Sequence, residues 1–119
     1  MSLLRPAGAN YVGVRDLASA ISWYTDKLGL HKVQIEMDDP EGCVALGFDK
    51  RDAALVLGPA DRSSDELSPL MYASNLKKAR EFLSGRGVNV GEIQKDRQNT
   101  HFFEMRDLEG NVIEVSEEP

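Results

Sequence analysis

Val12 and Val14 alternate with Tyr11 and Gly13, the period-2 pattern of a strand with one buried face. Asp16 then stands where a helix N-cap is wanted. Leu17, Ile21, Tyr24 and Leu28 recur at helical spacing, and Gly29 supplies the left-handed residue that ends the helix. Short apolar runs around Lys32–Glu36, Cys43–Phe48 and Ala53–Leu57 predict three strands, parted by Asp38-Asp39-Pro40-Glu41-Gly42 and Asp49-Lys50-Arg51-Asp52. The order is βαβββ.

The pattern then repeats. After the polar stretch Pro59 to Glu66, Leu70–Ala73 reads as a strand and Asn75 as a cap. Leu76, Ala79 and Leu83 line a helix closed by Gly85 or Gly87, and strands near Val88–Ile93, Thr100–Met105 and Val112–Val115 complete a second βαβββ unit. Asp16 matches Asn75 and Val56 matches Glu114, at offsets of 59 and 58 residues, so the two units are read as a duplicated module. The 119 residues are expected to form one domain, with module one at about 8–58, a linker at about 59–67 and module two at about 68–117.

Charge and cysteine content narrow the partners. The balance of 14 Lys and Arg against 20 Asp and Glu, a net charge of -6 without a basic run, argues against nucleic acid and anionic membranes. A single cysteine, Cys43, in an apolar run is read as a buried structural thiol, which suits a reducing cytoplasm. No long apolar stretch or leader-like segment is read in the chain, so no membrane span is expected.

Phe103 to Val115 reads as a strand, a tight Asp107-Leu108-Glu109-Gly110-Asn111 turn and a second strand, in which Ile113 and Val115 face one way and Glu114 the other. This stretch resembles the C-terminal motif of the vicinal oxygen chelate superfamily of glyoxalases, bleomycin-resistance proteins and extradiol dioxygenases. Asp16-Leu17, Trp23-Tyr24 and Leu28-Gly29-Leu30 resemble its first-module signature. The resemblance implies an α+β fold in which two βαβββ modules form a cupped mixed sheet with the helices outside. It also implies a homodimer, because members of this superfamily usually complete their cups across a two-fold interface. The reaction stays open, since one scaffold serves many chemistries.

In metal-using members four ligands converge in the cup. Carried over one at a time, those positions fall at Ala9, Val56, Ser68 and Glu114. Only Glu114 is a competent donor, whereas a divalent site wants about three or more. No cofactor is therefore expected, and Glu114 alone would hold a divalent ion weakly.

Strand parity lists the remaining candidates. Tyr11, Val56, Leu70, Tyr72, Phe102, Glu104 and Glu114 are expected to line the cup as ligand-binding residues, with Ala45, Ala54 and Val112 beside them. Glu104 and Glu114 in one cup would raise each other's pKa and could serve as acid or base, so Glu114, Glu104 and His101 are the catalytic candidates. His101 is also read as an edge histidine, His31 as a surface residue, and Arg97, Gln98 and Asn99 as a loop at the opening. The leading expectation is a metal-free binding protein for a small organic molecule. The alternative is a lyase, isomerase or oxygenase of the same superfamily, using a non-standard metal site or carboxylate acid/base catalysis.

Overall fold

A computed structural model describes residues 4–7, 10–33, 43–48, 53–59 and 69–118. The elements are β1 (Leu4–Pro6), β2 (Asn10–Val14), α1 (Leu17–Leu28), β3 (His31–Lys32), β4 (Val44–Gly47) and β5 (Leu55–Pro59) in the first part of the chain. They continue with β6 (Leu70–Ala73), α2 (Leu76–Gly85), β7 (Asn89–Val90), β8 (Gln94–Lys95), β9 (His101–Arg106) and β10 (Val112–Glu117).

Both helices start and stop on the residues that the sequence marks. The Asp16 side chain accepts from the Ser19 N–H and that of Asn75 from the Lys78 N–H, so each cap satisfies a donor that the first helical turn leaves unpaired. Gly29 ends α1 at φ 76°, and Gly87 follows α2 at φ 83°. Ala20, Tyr24 and Leu28 form the buried stripe of α1, while Leu17 and Ile21 pack partly buried against the core. In α2 the buried stripe is Leu76, Ala79 and Leu83.

The strands form a four-stranded sheet ordered β2-β5-β4-β3 and a six-stranded sheet ordered β1-β6-β10-β9-β7, with β8 also on β9. In each module the last strand returns parallel to the first, β5 beside β2 and β10 beside β6, while the other pairings are antiparallel. Sheet faces alternate strictly along a strand, so Val12, Val14, Leu55 and Leu57 in one sheet and Met71, Phe103, Met105, Ile113 and Val115 in the other go inward together. Those side chains and the helix stripes make one cluster that spans both modules. Burying each large member is worth about 1.5–3 kcal/mol.

Three features differ from the sequence-based expectations. Strand β1 lies outside the expected modules and pairs antiparallel with β6 of module two, Leu4 opposite Ala73. The segment expected at Val88–Ile93 is two short strands, β7 and β8, both on β9. Strands β5 and β10 run on to Pro59 and Glu117. Residues 34–36 of the expected third strand lie outside the described residues.

Candidate functional site

The helix-free faces of the two sheets carry the candidates. On β2 and β5 these are Tyr11 and Val56, which are cross-strand neighbours, with Ala45 of β4 on the far side of Val56. In the six-stranded sheet Leu70, Glu114 and Glu104 stand in one row across β6, β10 and β9. Tyr72, Ser116 and Phe102 stand in the next. The sheets adjoin where the Asn10 amide donates to the Leu70 carbonyl at 2.9 Å. Ala54, expected beside these residues, belongs to the core cluster instead, because it sits in the bend before β5 and not in the strand.

Glu104 and Glu114 are direct cross-strand partners. At that register β-carbons stand about 4.5–5.5 Å apart, close enough for two anions to repel. Burial, then the Glu104 charge, then that of Asp96 hold Glu114 above the usual carboxylate range. Asp96 lies in the turn after β8, where its side chain accepts from the Gln98 and Thr100 N–H groups. That turn, 96–99, includes Arg97, Gln98 and Asn99, all exposed.

His101 does not join this pair. It shares the opposite face of β9 with Phe103 and Met105, is exposed, and contacts Glu117 through Nδ1 at 3.2 Å. The His101 backbone N–H also donates to Glu117 at 2.7 Å, and this bond holds that carboxyl below its ordinary value. His31 is likewise exposed.

Two residues of this face were not anticipated. Ser116, 7% exposed, lies between Tyr72 and Phe102 and donates to the Glu117 carbonyl at 3.3 Å. Gly58 lies between Tyr11 and Cys43, whose atoms crowd the space in which its side chain would stand. Cys43 is therefore a half-buried residue of this face and not a fully buried core thiol. Its Sγ stands over Gly58.

Among the described residues, the candidates offer few donors to a divalent ion. Glu104 and Glu114 give two carboxylates, Val56 gives none, and among the described residues no group of three or more His, Cys, Asp or Glu is placed to hold a metal. Ala9 and Ser68 lie outside the described residues.

The turn of the terminal motif has a different task. Asp107 is buried, and its carboxylate accepts from Glu109 and Asn111 N–H, from Asn111 Nδ2 and from the Tyr24 hydroxyl of α1 at 2.7 Å. Burial and the Asp107 charge push the Tyr24 phenol far up. Asn111 Nδ2 donates to the Gly13 carbonyl, and Glu109 accepts from the Arg15 and Asp16 N–H groups. The turn of module two is thus fixed to the β2–α1 junction of module one. Among the described residues, two open grooves lie away from the helix-free faces, one beside Trp23 and Leu108 and one beside Arg80 and Ile93.

The sequence model of the Glyoxalase/Bleomycin resistance protein/Dioxygenase superfamily matches residues 8–115. No curated protein compared with the chain matches significantly. Among solved structures, a member of that superfamily from Sphaerobacter thermophilus superposes with a TM-score of 0.71 at 21% identity, covering 93% of this chain and 95% of that one. An antibiotic-binding protein from a Streptomyces species gives 0.71 at 20% identity, covering 93% of each chain. A lactoylglutathione lyase from Agrobacterium tumefaciens gives 0.65 at 18% identity, covering 92% of this chain and 91% of that one. At these identities the likeness establishes the fold. No helix among the described residues is long and apolar enough to cross a membrane.

Proposed function

Because the chain belongs to the Glyoxalase/Bleomycin resistance protein/Dioxygenase superfamily, we propose that it binds a small amphipathic organic molecule in the cup between its modules. In this reading the protein has no resident metal and works as a cytoplasmic homodimer. The observation that carries the proposal is the composition of the helix-free faces, with Tyr11 and Val56 on one sheet and Leu70, Tyr72 and Phe102 beside the Glu104–Glu114 pair on the other. Apolar walls with a few converging polar groups are what small-molecule sites use. Ionised carboxylates only accept hydrogen bonds, so the ligand should present a donor, most naturally an amine, beside an aromatic body. A fold neighbour that binds an antibiotic supports a binding role for this scaffold.

A second reading, acid/base catalysis, is favoured by one observation, the raised Glu114 pKa beside a second carboxylate. Turnover of a bound compound that stops with both Glu114→Gln and Glu104→Gln would select it.

The test is direct. Purified protein is expected to carry far less than one divalent ion per chain by elemental analysis. Its affinity for amine-bearing aromatic compounds, screened by calorimetry, is expected to fall about tenfold in Glu114→Ala, the equivalent of about 1.4 kcal/mol. Near-equimolar metal that is lost in Glu114→Ala would overturn the metal-free reading, and unchanged affinity would remove the carboxylate from recognition.

A further inference from the structure

The repeat sets Tyr11 against Leu70, Val56 against Glu114 and Gly58 against Ser116, at offsets of 59, 58 and 58 residues. These pairs hold equivalent places on the helix-free faces, yet the side chains have diverged. In module one the Tyr11 hydroxyl donates to the Pro59 carbonyl at 2.7 Å, which draws the phenol along β5. A β-carbon on Gly58 would stand 2.6 Å from the Tyr11 hydroxyl oxygen, 3.0 Å from its Cε2 and 2.7 Å from Cys43 Sγ. Separations that short are not tolerated between packed atoms. The phenol therefore occupies the room that a side chain at position 58 would need.

Module two is built the other way. Leu70 is shorter than Tyr11 and has no hydroxyl, Ser116 has a hydroxyl where module one has bare backbone, and Glu114 has a carboxylate where module one has Val56. Module one's half has the Tyr11 ring and no charge; module two's half sets Glu104, Glu114 and Ser116 among Leu70, Tyr72 and Phe102.

We infer that Gly58 is a specificity-determining residue: by leaving room for the Tyr11 ring against β5, it makes module one the seat for the aromatic end of an amphipathic ligand whose polar end faces Glu114 and Ser116. This rests on the binding function proposed above. A side chain at position 58 would break the Tyr11–Pro59 bond and drive the ring outward into the ligand's place. The duplicated halves thereby orient the ligand, since a cationic end meets carboxylates only in module two.

The experiment is a double-mutant cycle of Gly58→Ala and Tyr11→Ala in a Cys43→Ala parent, which removes the thiol's share of the collision. The probe is thioflavin T, a planar aromatic cation, titrated by fluorescence, with urea unfolding to verify that each variant folds. Gly58→Ala is expected to weaken dye binding about tenfold when Tyr11 is present and less than about twofold when it is absent. Tyr11→Phe frees the ring from Pro59 without filling position 58, and is expected to weaken binding about threefold even if Gly58→Ala does not fold. If the parent does not bind the dye, the proposed binding function fails and this inference with it. If the parent binds and Gly58→Ala costs nothing, costs the same without Tyr11, or fails to fold while Tyr11→Phe binds as the parent does, this inference alone fails.

Discussion

Glu114 concentrates the electrostatic cost of the candidate site. Burial, Glu104 and Asp96 raise its pKa, so the folded chain holds this proton more tightly than the unfolded chain does. Its contribution to stability is therefore most favourable at acid pH, and it declines as pH rises from the ordinary carboxylate range through the raised folded value. Glu114→Gln removes that decline. We expect it to stabilise the protein by about 0.5 kcal/mol at pH 7, within the range for cross-strand pairs, and by less at pH 4. Urea unfolding at the two pH values measures this, and an equal effect at both would contradict it. Glu117 titrates in the opposite sense, but it lies on the other face and is common to both proteins. Glu104 and Glu114 were both legible in the sequence, because period-2 parity assigns faces from a single reference residue. Gly58 and Ser116 were not, since the apolar pattern that marked the strands stops at Leu57 and Val115. Extending the parity by one residue would have found both.

Among the elements, the helices were the most legible, because Asp16, Asn75 and Gly29 act on backbone groups in their own turn. The Asp107–Asn111 turn was legible as a turn but not as a clamp. Its partners Tyr24, Gly13 and Arg15 are more than 80 residues away along the chain, and no local pattern encodes them. Tyr24→Phe keeps the ring packing and removes one donor from a buried carboxylate. The expected cost is about 2 kcal/mol, as for hydrogen bonds to charged groups, read as a lower urea midpoint. A loss under about 0.5 kcal/mol would mean that the clamp is carried by Glu109 and Asn111.

Among the described residues, β3 and β7 end their sheets, and open strand edges favour pairing with a second copy. Light scattering should give twice the 13.2 kDa chain mass; a monomer mass at all working concentrations would refute the dimer. The duplicated architecture was legible from the repeat, but β1 was not. Three residues that include a proline have no usable period, and their partner lies in the other module. That pairing gives the order of synthesis a cost. Leu4 leaves the ribosome well before Ala73, with which it pairs, so at about 5–20 residues per second β1 waits several seconds for its partner. Until then β1 is a strand without a sheet, and Leu4 stays uncovered until the second module has been translated.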